Sequence, residues 1–132
     1  MSALLDTHVL VRWFGDRKRL SRAQRRVLDR AAAEEPLLVS DITLWEIATL
    51  YERGRLRFSL PVRDWLERAT AAPLVRRLGI TPAIAAELAA LPASFHRDPA
   101  DRILVATARV HGAKLLTSDS RIIDAEIVDT VA

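Results

Sequence analysis

What most constrains this chain is the alternation of short apolar runs with longer stretches of helical periodicity. "ALL" (Ala3–Leu5), "LLVS" (Leu37–Ser40), a run within residues 74–80 and residues 114–119 read as strands, and "EIV" at 126–128 as a fifth. Helical patterns fill the gaps. Thr7–Phe14 follows the first strand. Residues 21–35 read as a helix capped by Ser21 and stopped by Pro36, with Val27, Leu28, Ala31 and Ala32 on one side. Residues 41–54 start from Ser40 or Asp41 and close at Gly54. Residues 61–72, 82–91 and 99–111 each open on a proline, which suits the first helical position. Such alternation predicts right-handed βαβ units. The expected class is α/β, a three-layer α/β/α sandwich around a mainly parallel sheet of about five strands. With 132 residues, 50% hydrophobic and 28% charged, a single domain over 1–132 is expected.

In a sheet of this kind ligands sit beyond the carboxyl ends of the strands, where the strand order switches. Carboxylates map to that edge. Asp6 follows the first strand and Asp119 the fourth. Asp98 and Asp101 open the helix that leads into the fourth strand, and Glu46 lies in the helix after the second. Plain structural roles exist for some of them. Asp6 and Asp119 can cap the helices they precede, and Asp98 reads as a cap with Pro99 at the first helical position. Glu46 and Asp101 resist that explanation. Glu46 has Ile42, Thr43, Thr49 and Leu50 as helical neighbours, and Asp101 shares a side with Leu104, Val105 and Ala108. Both charges would be partly desolvated, and a cation would relieve the cost. There is no cysteine and no spaced set of histidines. An oxygen-only cluster suits Mg²⁺ or Mn²⁺, and two such ions can drive phosphodiester hydrolysis. Thr7, Thr117 and Ser118 offer hydroxyls to a phosphate, or else finish strand ends and turns. His8 and His111 read as packing or surface residues and His96 as bordering the site.

The charge balance adds a class of partner. The formal net charge is +3 and the pI about 10.1. Lys18 and Lys114 are the only lysines, so the base is arginine, clustered near 17–19, 25–30 and 53–57. Guanidinium groups fork onto phosphates, which fits a polyanion. A soluble, arginine-rich surface explains the same count equally well. No apolar run approaches the length of a membrane span, and no basic region precedes an apolar one at the start, so a cytoplasmic protein is expected. No Gly-rich phosphate loop and no nucleophile elbow is evident.

Four stretches in order, "LLDTHVLVRWF", "SDITLWEIATLYERGRL", "HRDPADRILVATARVHG" and "LLTSDSRI", resemble the PIN-domain ribonucleases, and among them the VapC toxins of prokaryotic toxin–antitoxin modules. The resemblance runs from residue 4 to about residue 123. It implies an acidic Mg²⁺/Mn²⁺ site and endonucleolytic cleavage of RNA. Matched motif by motif, Asp6, Glu46 and Asp101 are the first three acids and Asp119 the fourth. Asp98 belongs to the "HRDPxDR" variant, and its role as a ligand stays open beside its role as a cap. The resemblance also implies a homodimer and a VapB-type antitoxin in a groove near the early helices. Trp13, Phe14, Trp45 and Tyr51 are candidates for that groove or for the core. Arg53, Arg55 and Arg57 are candidates for the RNA backbone.

Two other classes remain. A phosphatase or phospho-receiver would use Asp6 as nucleophile, with an acidic neighbour and a nearby lysine. Position 8 is His, and Lys114 begins the fourth strand, toward the far edge. An inert binding module of the same fold would keep the shape without metal.

Overall fold

A computed structural model describes residues 2–132. Five strands form one sheet: β1 (Ala3–Leu5), β2 (Leu37–Ser40), β3 (Val75–Leu78), β4 (Lys114–Leu116) and β5 (Thr130–Val131). Their order is β3-β2-β1-β4-β5, and every pairing is parallel. Seven helices connect them: α1 (Thr7–Phe14), α2 (Arg22–Asp29), α3 (Asp41–Glu52), α4 (Val62–Ala69), α5 (Pro82–Ala90), α6 (Pro99–His111) and α7 (Ser120–Ile123), with a 3-10 turn at Arg17–Arg19.

Central strands of a parallel sheet are covered on both faces and so need apolar residues on both. β1 and β2 are buried throughout. Their side chains alternate between two cores. Ala3, Leu5, Leu37, Val39 and Leu116 point into one, which α1, α2 and α4 close. Leu4, Leu38 and Leu115 point into the other, which α5 and α6 close. The three-layer expectation is met. The edge strand β3 exposes Arg76 and Arg77, charges that discourage pairing with another sheet. Helix α3 reaches both cores, with Ile47 in the first and Ile42 packed on the second. Glu46 is therefore carried at the seam between the layers.

Three expectations change, the simplest being that β4 stops at Leu116 and not at residue 119. The helix from Ser21 ends at Asp29, not at residue 35. Ala32 and Glu35 exchange backbone hydrogen bonds of 3.4 and 3.1 Å, which reverses the chain so that Leu37 can join β3 through the Leu74 carbonyl. The fifth strand is Thr130–Val131 and not 126–128. Glu126 has φ 54°, a left-handed conformation that interrupts a strand. Ile127 and Val128 pack against the second core instead. Gly54 (φ 73°) and Gly112 (φ 61°) adopt the left-handed conformation after α3 and α6. That lets the following N–H groups of Arg55 and Ala113 return to Leu50 and Ala108.

Candidate active site

The strand order runs one way from β1 to β3 and the other way from β4 to β5, so the switch lies between β1 and β4. At its carboxyl end Asp6 leaves β1. The Asp6 N–H donates to the Leu116 carbonyl at 3.0 Å, tying β1 to β4. Oδ1 accepts the Thr7 N–H at 2.7 Å and caps α1, while Oδ2 accepts the Thr117 hydroxyl at 2.7 Å. Thr117 Oγ1 in turn accepts the Asp119 N–H at 3.0 Å. One buried threonine thus sets both acids at the ends of the two central strands.

The other acids arrive on helices. Glu46 Oε1 accepts the Thr7 hydroxyl, which also stands 3.3 Å from Thr43 Oγ1. Asp98 caps α6, its Oδ1 accepting the Asp101 N–H at 3.1 Å, with Pro99 at the first helical position. Asp101 then sits on the first turn, where the positive end of the helix dipole favours a carboxylate. Asp119 caps the short α7 and is gripped by Arg121, whose backbone N–H and Nε reach Oδ1 at 2.9 and 3.2 Å while a terminal nitrogen reaches Oδ2 at 2.9 Å. The same guanidinium lies 3.4 Å from Asp101 Oδ2.

Asp6, Glu46, Asp98, Asp101 and Asp119 line one cavity of about 370 Å³, together with His8, Arg12, Arg19 and Arg121. Asp6 and Asp101 are only 4% and 7% exposed. Burial pushes the Asp101 carboxyl up to about 7, helped by the charges of Asp6, Asp98, Asp119 and Glu46. Burial also raises Glu46, against the Thr7 hydrogen bond, which lowers it. Asp119 goes the other way, because the Arg121 hydrogen bonds favour its charged form.

Two histidines attend the acids. His8 Nε2 accepts the Ser118 N–H at 2.9 Å, so in the neutral ring Nδ1 carries the proton, 3.6 Å from Asp6 Oδ2. Burial lowers the His8 pKa, against the charge of Asp6, which raises it, and so favours the neutral ring. His8 is thus a site-lining residue rather than mere packing. His96 Nε2 lies 3.2 Å from Asp101 Oδ2 without the alignment of a hydrogen bond. His111 is exposed at the far end of α6.

The expected hydroxyl contacts give way to another role. Thr7 and Thr117 commit their only hydroxyl protons to Glu46 and Asp6, and Ser118 Oγ accepts from Gln24 Nε2 at 3.2 Å. They position the site from within. Arg53, Arg55 and Arg57 are exposed beyond α3 and do not line the cavity. Arg12, Arg19 and Arg121 do, and sequence reasoning missed them. Arg12 had a signal, lying four residues after His8 on one face of α1. Arg19 comes from the 3-10 turn and had none. Trp13 is half-buried against the first core, while Phe14 (47%), Trp45 (58%) and Tyr51 (42%) are exposed.

The donor set fits a hard divalent ion. It is all oxygen and partly desolvated, and around Asp101 four other carboxylates face the single guanidinium of Arg121. Among the described residues, no three Asp, Glu or His side chains are already gathered closely enough to share one ion.

A parallel sheet ordered 3-2-1-4-5 with acids converging at its switch defines a class, and comparison with known proteins bears this out. The model of the PIN domain matches residues 3–128, and the chain belongs to the PIN-domain family. It is 42% identical over 121 residues to Ribonuclease VapC22 of Mycobacterium tuberculosis, covering 92% of this chain and 89% of that one. Solved structures share the fold. VapBC2 from Rickettsia felis, bound to a DNA fragment from its promoter, superposes with a TM-score of 0.75 at 13% identity, covering 99% of this chain and 98% of that one. FitAcB from Neisseria gonorrhoeae gives 0.69 at 24% identity, with 98% and 96% covered. No helix among the described residues is long and apolar enough to cross a membrane.

Proposed function

We propose that this protein is a Mg²⁺- or Mn²⁺-dependent endoribonuclease, a single PIN domain over 1–132 that serves in the cytoplasm as the toxin of a VapBC-type module. The observation that carries the reading is the convergence of Asp6, Glu46, Asp101 and Asp119 on one cavity at the strand switch. The relative that carries the name ribonuclease supports the reaction class. A cognate VapB-type antitoxin and a homodimer complete the proposal. In their favour, a toxin–antitoxin complex from Klebsiella pneumoniae and VapBC-1 from Haemophilus influenzae share the fold, and Phe14, Trp45 and Tyr51 present exposed rings near the early helices.

Asp6, Glu46, Asp101 and Asp119 would hold the metal, with Asp98 beside them mainly as the cap of α6. Bound divalent ions would supply positive charge to the phosphate and make an attacking water more acidic. The remaining work belongs to the chain. Thr117 and Thr7 orient Asp6 and Glu46 through their hydroxyls. His8 directs its Nδ1 proton toward Asp6. Arg121 restrains Asp119 and shields Asp101. Asp101, raised to about 7, must give up its proton to act as a ligand, so ion binding strengthens above neutral pH.

The phosphoryl-acceptor reading loses its lysine. Lys114 opens β4 opposite Ala3, at the amino end of the sheet, and Asp6 is at the carboxyl end. The inert-module reading has to explain why two partly desolvated carboxyls with raised pKa values, Glu46 and Asp101, face one cavity. The test is RNA cleavage with and without Mg²⁺ by wild type and Asp101→Asn. Loss of cleavage in the variant and in EDTA is expected; equal rates would remove Asp101 from the site.

A further inference from the structure

A phosphodiester entering a cavity walled by five carboxylates meets charge of its own sign. Something must offset that repulsion besides the ions. Three arginines line the cavity, and they are not equivalent. Arg121 is occupied by Asp119 and Asp101. The guanidinium groups of Arg12 and Arg19 have neither an ion pair nor a hydrogen bond among the described residues.

Their placement is built into the fold. On α1, Thr7, His8, Val11 and Arg12 line the cavity, while Val9 and Leu10 are fully buried in the first core. The face of α1 that presents Arg12 is therefore set by its opposite face. Arg19 ends the 3-10 turn. Asp16 caps that turn by accepting the Lys18 N–H at 3.2 Å, and the buried Leu20 anchors the next position in the core. The two side chains line the same cavity, and each carries a like charge. Burial and the Arg19 charge both disfavour the charged form of Arg12, against smaller support from Asp16 and Asp6. Two like charges lining one cavity repel, and a shared anion relieves the cost. Forked donors suit a phosphate.

We propose that Arg12 and Arg19 form a phosphate-binding arm of the acid cavity, taking a phosphodiester of a single RNA strand next to the one held at the carboxylates. The proposal rests on the ribonuclease reading and names the side from which the strand enters. It runs along α1 and the 3-10 turn rather than over Arg53 and Arg55.

The test measures binding of a fluorescent single-stranded RNA by anisotropy, with Ca²⁺ in place of Mg²⁺ and RNA integrity checked on a gel. Three proteins are compared over a range of salt: wild type, Arg12→Gln/Arg19→Gln and the charge-matched Arg76→Gln/Arg77→Gln on edge strand β3. Circular dichroism verifies that each is folded. The arm variant should bind about tenfold or more weakly, and its salt slope should fall by about 0.7 for each phosphate it no longer neutralises. The β3 variant should shift far less. Equal affinity and slope in the two variants would overturn the arm while leaving the nuclease reading intact. Wild type that shows no salt-dependent RNA binding would overturn that reading and the arm with it.

Discussion

The starts of α6 and α7 use the same device and end in opposite electrostatic states. Each is capped by an aspartate that lines the cavity, Asp98 and Asp119. Each brings a carboxylate to the same guanidinium. Asp119 holds Arg121 at 2.9 Å through one oxygen and accepts two further N–H groups through the other. Its carboxyl is lowered. Asp101 is 3.4 Å away, 7% exposed and ringed by four other acids. Its carboxyl rises to about 7. An acid at a helix start is thus ambiguous by position alone. Desolvation and the nearest donors decide whether it is spent on structure or left wanting a cation.

The comparison breaks most completely at Asp101. Asp101→Asn should reduce single-turnover RNA cleavage by roughly a hundredfold or more, as loss of a preorganised electrostatic group does. The same variant should be more stable than wild type at pH 8 in EDTA, by on the order of 2 kcal/mol. Chemical denaturation measures this, and a destabilised Asn variant would mean that Asp101 is a structural charge after all.

Stability against pH separates the two helix starts next. Asp101 has a folded pKa above its ordinary value of 3.8. Its contribution favours the folded state fully below that ordinary value and is lost as pH rises through about 7. Glu46 is shifted in the same direction. The midpoint of thermal unfolding in EDTA should therefore rise as pH falls from 8 to 5. Asp119 is depressed, so its contribution is present above the ordinary carboxylate value and is lost only at more acid pH. Added Mn²⁺ should flatten the slope between 5 and 8. A midpoint that climbs with pH in EDTA would contradict the assignment to Asp101.

Arg121→Gln sharpens the contrast more gently. Without the guanidinium, the Asp119 carboxyl should move up toward its ordinary value and Asp101 further up, read by carboxyl carbon shifts in an NMR titration. If Asp119 stays low, the helix start and not the arginine holds it down. The smallest effect is at the cap. Asp98→Ala should cost about 1 kcal/mol while Asp98→Ser, which can still cap, costs little. The serine variant should keep much of the cleavage. A serine variant as inactive as Asp101→Asn would make Asp98 a ligand as well as a cap.

Much of this was legible in the chain because it is local. Strand–helix alternation produced the parallel sheet, and Asp6, Asp98, Asp101 and Asp119 fall at strand ends or helix starts, where the topology collects them, while Glu46 stands out by its place in the middle of α3. What escaped is tertiary. Thr7 meets Glu46 across 39 residues and Thr117 meets Asp6 across 111, so their hydroxyls looked free for a ligand. Arg19 reaches the cavity through a 3-10 turn with no periodic signature. Glu126, in a left-handed conformation, displaced a strand that apolar pattern alone had put four residues earlier. Asp6 and Asp119 proved to be caps and cavity residues at once, a combination that spacing could not decide.

On the proposed function, the carboxylates around Asp101 await a divalent cation. Calorimetric titration of the metal-free protein with Mn²⁺ at pH 7, repeated in buffers of different ionisation heat, tests it directly. Binding that releases a fraction of a proton, and that weakens about tenfold or more with loss of that release in Asp101→Asn, is the expected result. Mn²⁺ binding of equal strength in both proteins, or in neither, would contradict it.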